Sequence, residues 1–249
     1  MKKYEAYVFD LYGTLVDIKT DEEDKRLWKE TALFYGYNKA SYSAEELKTR
    51  YHFLVEEALK EKKATESERY AHEAYPDIPI EDVFKALYRE KGVKPSEELI
   101  KRTCQVFRIA STKRLKLYKG AKELLSDLKR SGRKVYLLSN AQRQFTEYEL
   151  VSLGIWDMFD GILISSEEGV RKPDGAFFDK LEERFGIDFG KSIMIGNDST
   201  TDMQGAKEKG MDTFYIHSNI SPAGDYAKGV TYQLDRMNLT RVSTMLLGE

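Results

Sequence analysis

The stretch Tyr4-Glu5-Ala6-Tyr7-Val8-Phe9-Asp10-Leu11-Tyr12-Gly13-Thr14-Leu15 decides the fold of this chain. Its first part, Tyr4–Phe9, has the composition of a short buried strand. Asp10 follows this strand directly, and Gly13 indicates a turn behind it. In open parallel sheets, ligands bind at the carboxyl ends of the strands. The sequence therefore predicts a functional site at Asp10 if a parallel sheet surrounds this strand.

Short strands and helices alternate through most of the chain. Strands are predicted at Tyr4–Phe9, Lys134–Leu138, Gly161–Ile164, Ser192–Ile195 and Thr213–Ile216. Helices are predicted at Ala121–Arg130, Gln142–Leu153, Ala176–Phe185 and Thr200–Lys209, and Asp235–Leu247 is predicted to be a final helix after a short strand. This alternation predicts an α/β fold, a Rossmann-like parallel sheet core with helices on both faces.

A helix-rich, highly charged block interrupts the alternation between residues 20 and 112. Ser43 and Glu46 form a capping-box pair, and the residues behind them have apolar side chains at helical spacing. We therefore predict an inserted all-helical domain at residues 20–112, while residues 1–19 and 113–249 form the core domain.

The composition is that of an ordinary globular protein, with 41% hydrophobic residues, 33% charged residues and a formal net charge of −2. Acids and bases are interleaved, so no nucleic acid and no membrane surface is expected as a partner. No apolar run approaches the ~20 residues of a membrane span, and the first residues lack a signal-peptide pattern. The single cysteine, Cys104, excludes an internal disulfide. These observations predict a soluble, cytoplasmic protein and leave its oligomeric state open.

Polar side chains follow four of the predicted strands and should meet at one edge of the sheet. They are Asp10 after the first strand, Ser139 and Asn140 after the second, Lys172 after the third, and Asp198 and Asp202 after the fourth. Asp10 is suited to attack an electrophilic phosphorus or carbon atom and form a covalent intermediate. Asp198 and Asp202 offer the oxygen ligands of a hard divalent cation, and Lys172 can balance further negative charge.

These four clusters, in this order, resemble the four motifs of the haloacid dehalogenase-like hydrolases, and the helical insert resembles their small cap. The resemblance implies that Asp10 is the nucleophile, that Ser139 binds phosphate and that Lys172 balances charge. It also implies that Thr14 steadies the first motif and that Asn140 lies at the substrate.

A magnesium ion (Mg²⁺) is the cofactor that this resemblance implies. Its ligands would be Asp10, the backbone carbonyl of Tyr12 and Asp198, with Asp202 as a second, often indirect, acid. The substrate would be a small phosphorylated molecule bound beneath the cap.

Tyr12 departs from the pattern of most phosphatases in this family, which carry an aspartate at this position as general acid and base. A phenol with a pKa near ~10 is a poor base at neutral pH. Tyrosine here resembles the metal-free 2-haloacid dehalogenases, whereas the paired acids Asp198 and Asp202 resemble the magnesium phosphatases. The sequence favours a phosphatase, with a dehalogenase or a non-catalytic binding protein as alternatives.

Overall fold

The computed structural model of the chain describes residues 3–69 and 75–248, so residues 70–74 of the predicted insert lie outside it. The strands, in chain order, are β1 (Ala6–Phe9), β2 (Val16–Thr20), β3 (Thr112–Leu117), β4 (Lys134–Ser139), β5 (Gly161–Ile164), β6 (Ser192–Gly196), β7 (Asp212–Ile216) and β8 (Tyr232–Leu234). Within the described residues, six strands form one parallel sheet in the order β5-β4-β1-β6-β7-β8. The predicted α/β fold is therefore confirmed.

The strand order places the end of β1 where doubly wound sheets bind their ligands. From β1 the core continues to β4 on one side, and it later crosses to β6 on the other side. The direction of winding reverses between β1 and β6, and the crevice at such a switch point is the usual ligand site. Phe9 pairs in register with Ile195, and the Asp10 amide donates to the Ile195 carbonyl at 2.9 Å. Asp10 therefore borders this crevice.

Helices of the core cover both faces of the sheet. The helices, in chain order, are α1 (Lys25–Tyr37), α2 (Ala44–Arg69), α3 (Ile80–Glu90), α4 (Glu97–Ser111), α5 (Ala121–Arg130), α6 (Arg143–Ser152), α7 (Ser165–Glu168), α8 (Gly175–Phe185), α9 (Gln204–Glu208) and α10 (Leu239–Leu247). Phe9 lies in a cluster with Leu125 of α5 and Val242 of α10. Val8, on the opposite face, lies in a cluster with Phe178 of α8. Within residues 3–69 and 75–248, no helix has both the length and the apolar character needed to cross a membrane.

Helices α1 to α4 form the insert and share a hydrophobic cluster of their own. Trp28, Tyr51 and Phe84 contribute rings from three of these helices, and Phe107 contributes one from the fourth. Phe145 of α6 joins the same cluster, so the insert packs directly on the core. The inserted all-helical cap is thus confirmed as part of the fold, while its limits at residues 20 and 112 stay a prediction.

An antiparallel ribbon of β2 and β3 connects the insert to the core, and the sequence analysis did not predict it. The ribbon is short, and each strand has only two apolar residues in alternation with polar ones, Val16 and Ile18 in β2 and Leu115 and Leu117 in β3, so its apolar pattern was easy to miss. Charge stabilises it, because the buried Asp17 pairs with Arg114 at 2.8 Å and lies 3.6 Å from the Lys116 ammonium.

The insert touches the core a second time through the segment that follows residue 74. Pro76 forms an antiparallel bridge with Val170, and the Arg171 amide donates to the Tyr75 carbonyl at 2.9 Å. The Ser165 hydroxyl donates to the Asp77 carboxylate at 2.5 Å. The insert is therefore fastened to the loop that precedes Lys172.

The prediction of a helix at Thr200–Lys209 is wrong for the first turn. The structure has a π-helical turn at Ser199–Met203, and α9 follows it. Asp202 turns back so that its Oδ2 accepts from the amides of Asn197 and Asp198, both at 3.1 Å. Side-chain acceptors of this kind compete with the helical hydrogen-bond ladder, which explains the irregular start.

Gly205 allows α9 to approach the core closely, and its replacement is expected to destabilise the protein. A Cβ atom at this position would overlap the Phe178 ring and lie 2.9 Å from the Pro173 carbonyl oxygen. We expect Gly205→Ala to lower the free energy of unfolding by about 1–3 kcal/mol in urea denaturation, because a packed core resists overpacking. Gly36→Ala is the control, since a Cβ there meets nothing within 4 Å. It should stabilise α1 by about 0.5–1 kcal/mol. Equal stabilities of the two variants would contradict this account.

Candidate active site

Asp10 lies almost completely buried at the end of β1, with 7% of its surface exposed. The Lys172 ammonium donates to its Oδ1 at 2.8 Å, and the Thr14 hydroxyl donates to its Oδ2 at 3.1 Å. Two residues of the predicted site, Lys172 and Thr14, thus bind the two carboxylate oxygens. A carboxylate fixed in this way is oriented for attack on a bound electrophile.

The loop after Asp10 is compact because of Gly13. Its φ is +93°, a left-handed conformation that favours glycine, and its amide donates to the Val16 carbonyl at 2.8 Å. A Cβ atom at this position would lie 2.5 Å from Asn197 Cγ. Gly13 therefore brings the loop after β1 against the loop after β6.

Lys172 joins three segments beneath the crevice. Its buried ammonium contacts Asp10, lies 2.7 Å from Asp202 Oδ1, and donates to the Leu138 carbonyl at 2.8 Å. Burial alone would lower the pKa of Lys172, but the two carboxylates outweigh it and the pKa is raised. The lysine therefore stays protonated and neutralises charge at this position.

Asn140 positions Lys172 through the backbone. Its side-chain amide donates to the Lys172 carbonyl at 3.0 Å, and its side-chain oxygen accepts from the Lys172 amide at 2.8 Å. Both ends of the Asn140 side chain are used in this way. The contact between this side chain and a substrate stays a prediction.

Ser139 is the last residue of β4 and lies next to Asp10 at the carboxyl end of the sheet. Its side chain is fully buried, yet its Oγ has no hydrogen-bond partner among the described residues. A buried hydroxyl without a partner carries a free-energy cost, so such a group usually meets a ligand or a water molecule.

The two acids after β6 have different surroundings. Asp202 is buried, and burial raises its pKa to about 7, although Lys172 acts in the opposite direction. Its oxygens face Lys172 and the backbone amides described above, so it supports the loop. Oδ1 of Asp198 accepts from the amides of Thr200 and Thr201 at 2.8 and 2.9 Å. No hydrogen bond or ion pair joins Asp198 to Asp10 in the described part of the chain.

Asn197 is the residue of this loop that contacts Asp10, and the sequence analysis did not identify it. One terminal atom of its amide lies 3.1 Å from the Tyr12 carbonyl oxygen and 3.3 Å from Asp10 Oδ2. Only 5% of its surface is exposed. The pairing of β1 with β6 explains its position, because Asn197 is the first residue after β6, as Asp10 is the first after β1. That neighbour relation is not visible in the sequence alone.

The donors at this point fit a divalent cation. Ligands of octahedral magnesium lie about 2.9 Å apart when each is about 2.1 Å from the ion. The spacing of the Asn197 amide to the Tyr12 carbonyl and the Asp10 carboxylate is close to this value. Within the described residues, no three His, Cys, Asp or Glu side chains form a metal-ligating group. A cation here would therefore depend on the carbonyl and the amide as well as on Asp10.

The Tyr12 side chain points into a buried contact between core and insert. Its hydroxyl donates to Glu149 of α6 at 2.5 Å and lies 3.0 Å from the Thr146 hydroxyl. Arg108 of α4 donates to the same carboxylate at 2.5 Å. Burial, together with the negative charge of Glu149, raises the pKa of Tyr12. The phenol is therefore protonated and hydrogen-bonded to Glu149, so it cannot act as a base in the crevice.

Removing Glu149 is expected to destabilise the protein strongly. Glu149→Ala leaves the Arg108 guanidinium, whose side chain is only 16% exposed, without its partner. We expect a loss of about 3 kcal/mol in the free energy of unfolding, because an uncompensated charge then stays largely buried. Glu147→Ala on the same helix removes an exposed ion pair with Arg143 and should cost less than about 1 kcal/mol. Similar losses in the two variants would show that the buried pair contributes little.

Known proteins share this architecture. Residues 4–210 match the family model described as haloacid dehalogenase-like hydrolase. The phosphoserine phosphatase of Thermus thermophilus is 28% identical over 142 residues, which cover 57% of this chain and 56% of that protein. The chain thus spans about half of the length of the first curated relatives that it matches.

Two solved structures share the fold over nearly the whole chain. The putative HAD-hydrolase YfnB of Bacillus subtilis, bound to magnesium, has a TM-score of 0.55 and 20% identity, and the match covers 99% of this chain and 100% of that one. The L-2-haloacid dehalogenase of Xanthobacter autotrophicus has a TM-score of 0.55 and 19% identity, with coverage of 98% and 99%. The matched family model, the sheet and the residues around Asp10 agree, and the chain belongs to the haloacid dehalogenase-like hydrolases.

Proposed function

We propose that the chain is a magnesium-dependent phosphatase that transfers a phosphoryl group from a small phosphorylated metabolite to Asp10 and then to water. The observation that carries this proposal is the buried Ser139 hydroxyl, which has no hydrogen-bond partner in residues 3–69 and 75–248 and lies beside the oriented Asp10 carboxylate. A phosphoryl oxygen is the ligand that this hydroxyl would bind.

The reaction would have two steps. In the first, an Asp10 oxygen forms a bond to phosphorus while the ester bond breaks, and the leaving oxygen takes a proton from solvent. In the second, water attacks phosphorus and gives up a proton to solvent, the bond between phosphorus and the Asp10 oxygen breaks, and inorganic phosphate leaves. Ser139 and Lys172 stabilise the charge on the phosphoryl oxygens during both steps. A bound magnesium ion would supply further positive charge next to Asp10 and the phosphoryl group.

Tyr12 limits the substrates that such an enzyme can use well. Its phenol is bound to Glu149, so the loop after β1 offers no group to protonate the leaving oxygen. Substrates with a stable leaving group, such as acyl phosphates, need this proton least. We therefore expect acyl phosphates to react faster than simple alkyl phosphates.

The relatives support this proposal at a general level. The similarity to a phosphoserine phosphatase concerns a region of 142 residues. The similarity to the magnesium-bound YfnB and to a haloacid dehalogenase concerns the fold alone. A metal-free 2-haloacid dehalogenase is the second candidate, because a halide leaving group needs no proton and the Tyr12 phenol supplies none.

Phosphate release from a panel of acyl and alkyl phosphates, with and without magnesium, tests the proposal. We expect release only with magnesium, and no release by Asp10→Asn. Ser139→Ala should lower kcat about 10²-fold, the usual effect of losing one donor to a developing charge. Asp157→Asn is the matched control, since Asp157 is exposed and should leave kcat unchanged.

Two outcomes would contradict the proposal. Chloride release from 2-chloropropionate in the presence of a chelator, without phosphate release from any ester, would favour the dehalogenase. Binding of phosphorylated ligands without turnover of either substrate class would favour a non-catalytic binding protein.

The covalent intermediate has its own readout. Acid-quenched wild-type protein should carry a phosphoryl group on the peptide that contains Asp10.

A further inference from the structure

The backbone of the turn after β6 is bound by carboxylates along its length. Five successive amides, those of residues 197–201, each donate to an aspartate side chain. Asp202 accepts from the first two at 3.1 Å, and Asp198 accepts from the last two at 2.8 and 2.9 Å. The middle amide, that of Ser199, donates to Asp225 at 2.8 Å. Asp198 and Asp202 belong to the turn itself, whereas Asp225 comes from the β7–β8 loop, residues 217–231.

Asp225 is buried and is held by several donors. The Ser199 hydroxyl donates to its Oδ1, and the Tyr215 hydroxyl donates to its Oδ2 at 3.3 Å. Burial, together with the negative charges of Asp225 and Asp198, raises the pKa of Tyr215 to about 12, so the phenol stays protonated and donates. A buried carboxylate is costly unless hydrogen bonds surround it. These donors therefore fix the position of the Asp225 side chain.

The β7–β8 loop fastens the turn at a second point. The Ser221 hydroxyl donates to the Asn197 carbonyl at 2.8 Å. Ser221 and Asp225 lie in one compact stretch, because the Asp225 amide donates to the Pro222 carbonyl at 3.0 Å. The loop thus contacts the turn after β6 at its first residue and again at Ser199.

The positions of both acids of the turn depend on Ser199. Asp198 directly precedes it, and the amides that Asp198 binds directly follow it. Asp202 lies in the same π-helical turn, and its Oδ1 is 2.7 Å from the Lys172 ammonium. A displacement of Ser199 would therefore move both carboxylates relative to Asp10.

We propose that Asp225 is a positioning residue of the active site, which holds the turn after β6 where a cation can bind Asp198 and Asp10 together. This inference rests on the proposed magnesium site. It makes the metal affinity depend on a loop that lies outside the four clusters at the strand ends. Asp225 acts through Ser199 and does not itself contact the cation.

The hydrogen bonds of Asp225 predict which replacement keeps this role. An asparagine could still accept from the Ser199 amide through its oxygen and donate to the Ser199 hydroxyl through its amino group. An alanine would leave the Ser199 amide and hydroxyl without this partner. Asp225→Asn should therefore retain most of the positioning effect, whereas Asp225→Ala should lose it.

Calorimetric titrations with Mg²⁺ and Mn²⁺ test the proposal in the folded protein. We expect a Kd about tenfold higher for Asp225→Ala and within about threefold of the wild type for Asp225→Asn. Ser199→Ala removes only the hydroxyl contact and should raise the Kd by about threefold. Asp235→Ala is the matched control, because Asp235 is an exposed aspartate just after β8, and its Kd should equal that of the wild type.

The dependence of the rate on magnesium separates positioning from a purely structural role. If Asp225 positions the turn, Asp225→Ala needs more magnesium for half-maximal phosphate release, and excess magnesium raises its kcat towards the wild-type value. If Asp225 only stabilises the fold, the variant has a lower Tm and less active protein. Its kcat is then lower at every magnesium concentration, while its Kd for the metal is unchanged.

Three results would overturn the proposal. The first is a wild-type Kd in Asp225→Ala or, if that variant does not fold, in Ser199→Ala. The second is an equal loss of affinity in Asp225→Asn and Asp225→Ala, which would assign the effect to the charge of Asp225. The third is an equal loss in Asp235→Ala, which would show that the effect is not specific.

The proposed function can fail separately from this inference. If the wild type binds neither metal, the proposed magnesium site and the role of Asp225 both fail. If the wild type binds metal and the Kd values change as expected, but no phosphate is released from any ester, the phosphatase proposal alone fails.

Discussion

One buried ammonium group, that of Lys172, organises the site. Moving an ion out of water costs several kcal/mol, and the cost is offset only when good partners surround it. Lys172 has such partners in Asp10 after β1, the Leu138 carbonyl in β4 and Asp202 in the turn that follows β6. The ends of β1, β4 and β6 therefore cannot separate without exposing an uncompensated charge. The charge of Lys172 therefore fixes how these three segments meet in the crevice, in addition to the pairing of their strands.

The sequence predicted that Asp10, Ser139 and Lys172 lie together, because each comes at or after the end of a recognisable apolar strand in a parallel sheet. The structure places all three around the crevice, and their chemical roles stay a proposal. The position of Asn197 could not be predicted, because its contact with Asp10 depends on which strands are neighbours in the sheet. The β2–β3 ribbon was missed for another reason: each of its strands has only two apolar residues in alternation, and the ion pairs of Asp17 add to their packing.

Tyr12, where most phosphatases of the family have an aspartate, links the loop that carries Asp10 to the position of the insert. Its backbone carbonyl faces Asn197 in the crevice, while its phenol binds Glu149, which also holds Arg108 of the insert. One residue thus contacts the reacting side of the site and the boundary with the helical insert. A movement of α4 would displace Arg108 and, through the Glu149 carboxylate, would change the position of Tyr12 in the loop after β1. Such a coupling is not available to an aspartate, whose short side chain does not reach α6.

The contact of the insert with the core beyond its connecting ribbon also has an evolutionary consequence. An insert that contacts the core only at its two ends could be replaced by the insert of a relative, because no other contact would be lost. Here Asp77 binds Ser165, and Arg108 binds Glu149, so a foreign insert grafted onto the ribbon would leave buried core groups without partners. New specificities in this chain should therefore arise by gradual substitution within the insert, accompanied by compensating changes at the core positions that it touches.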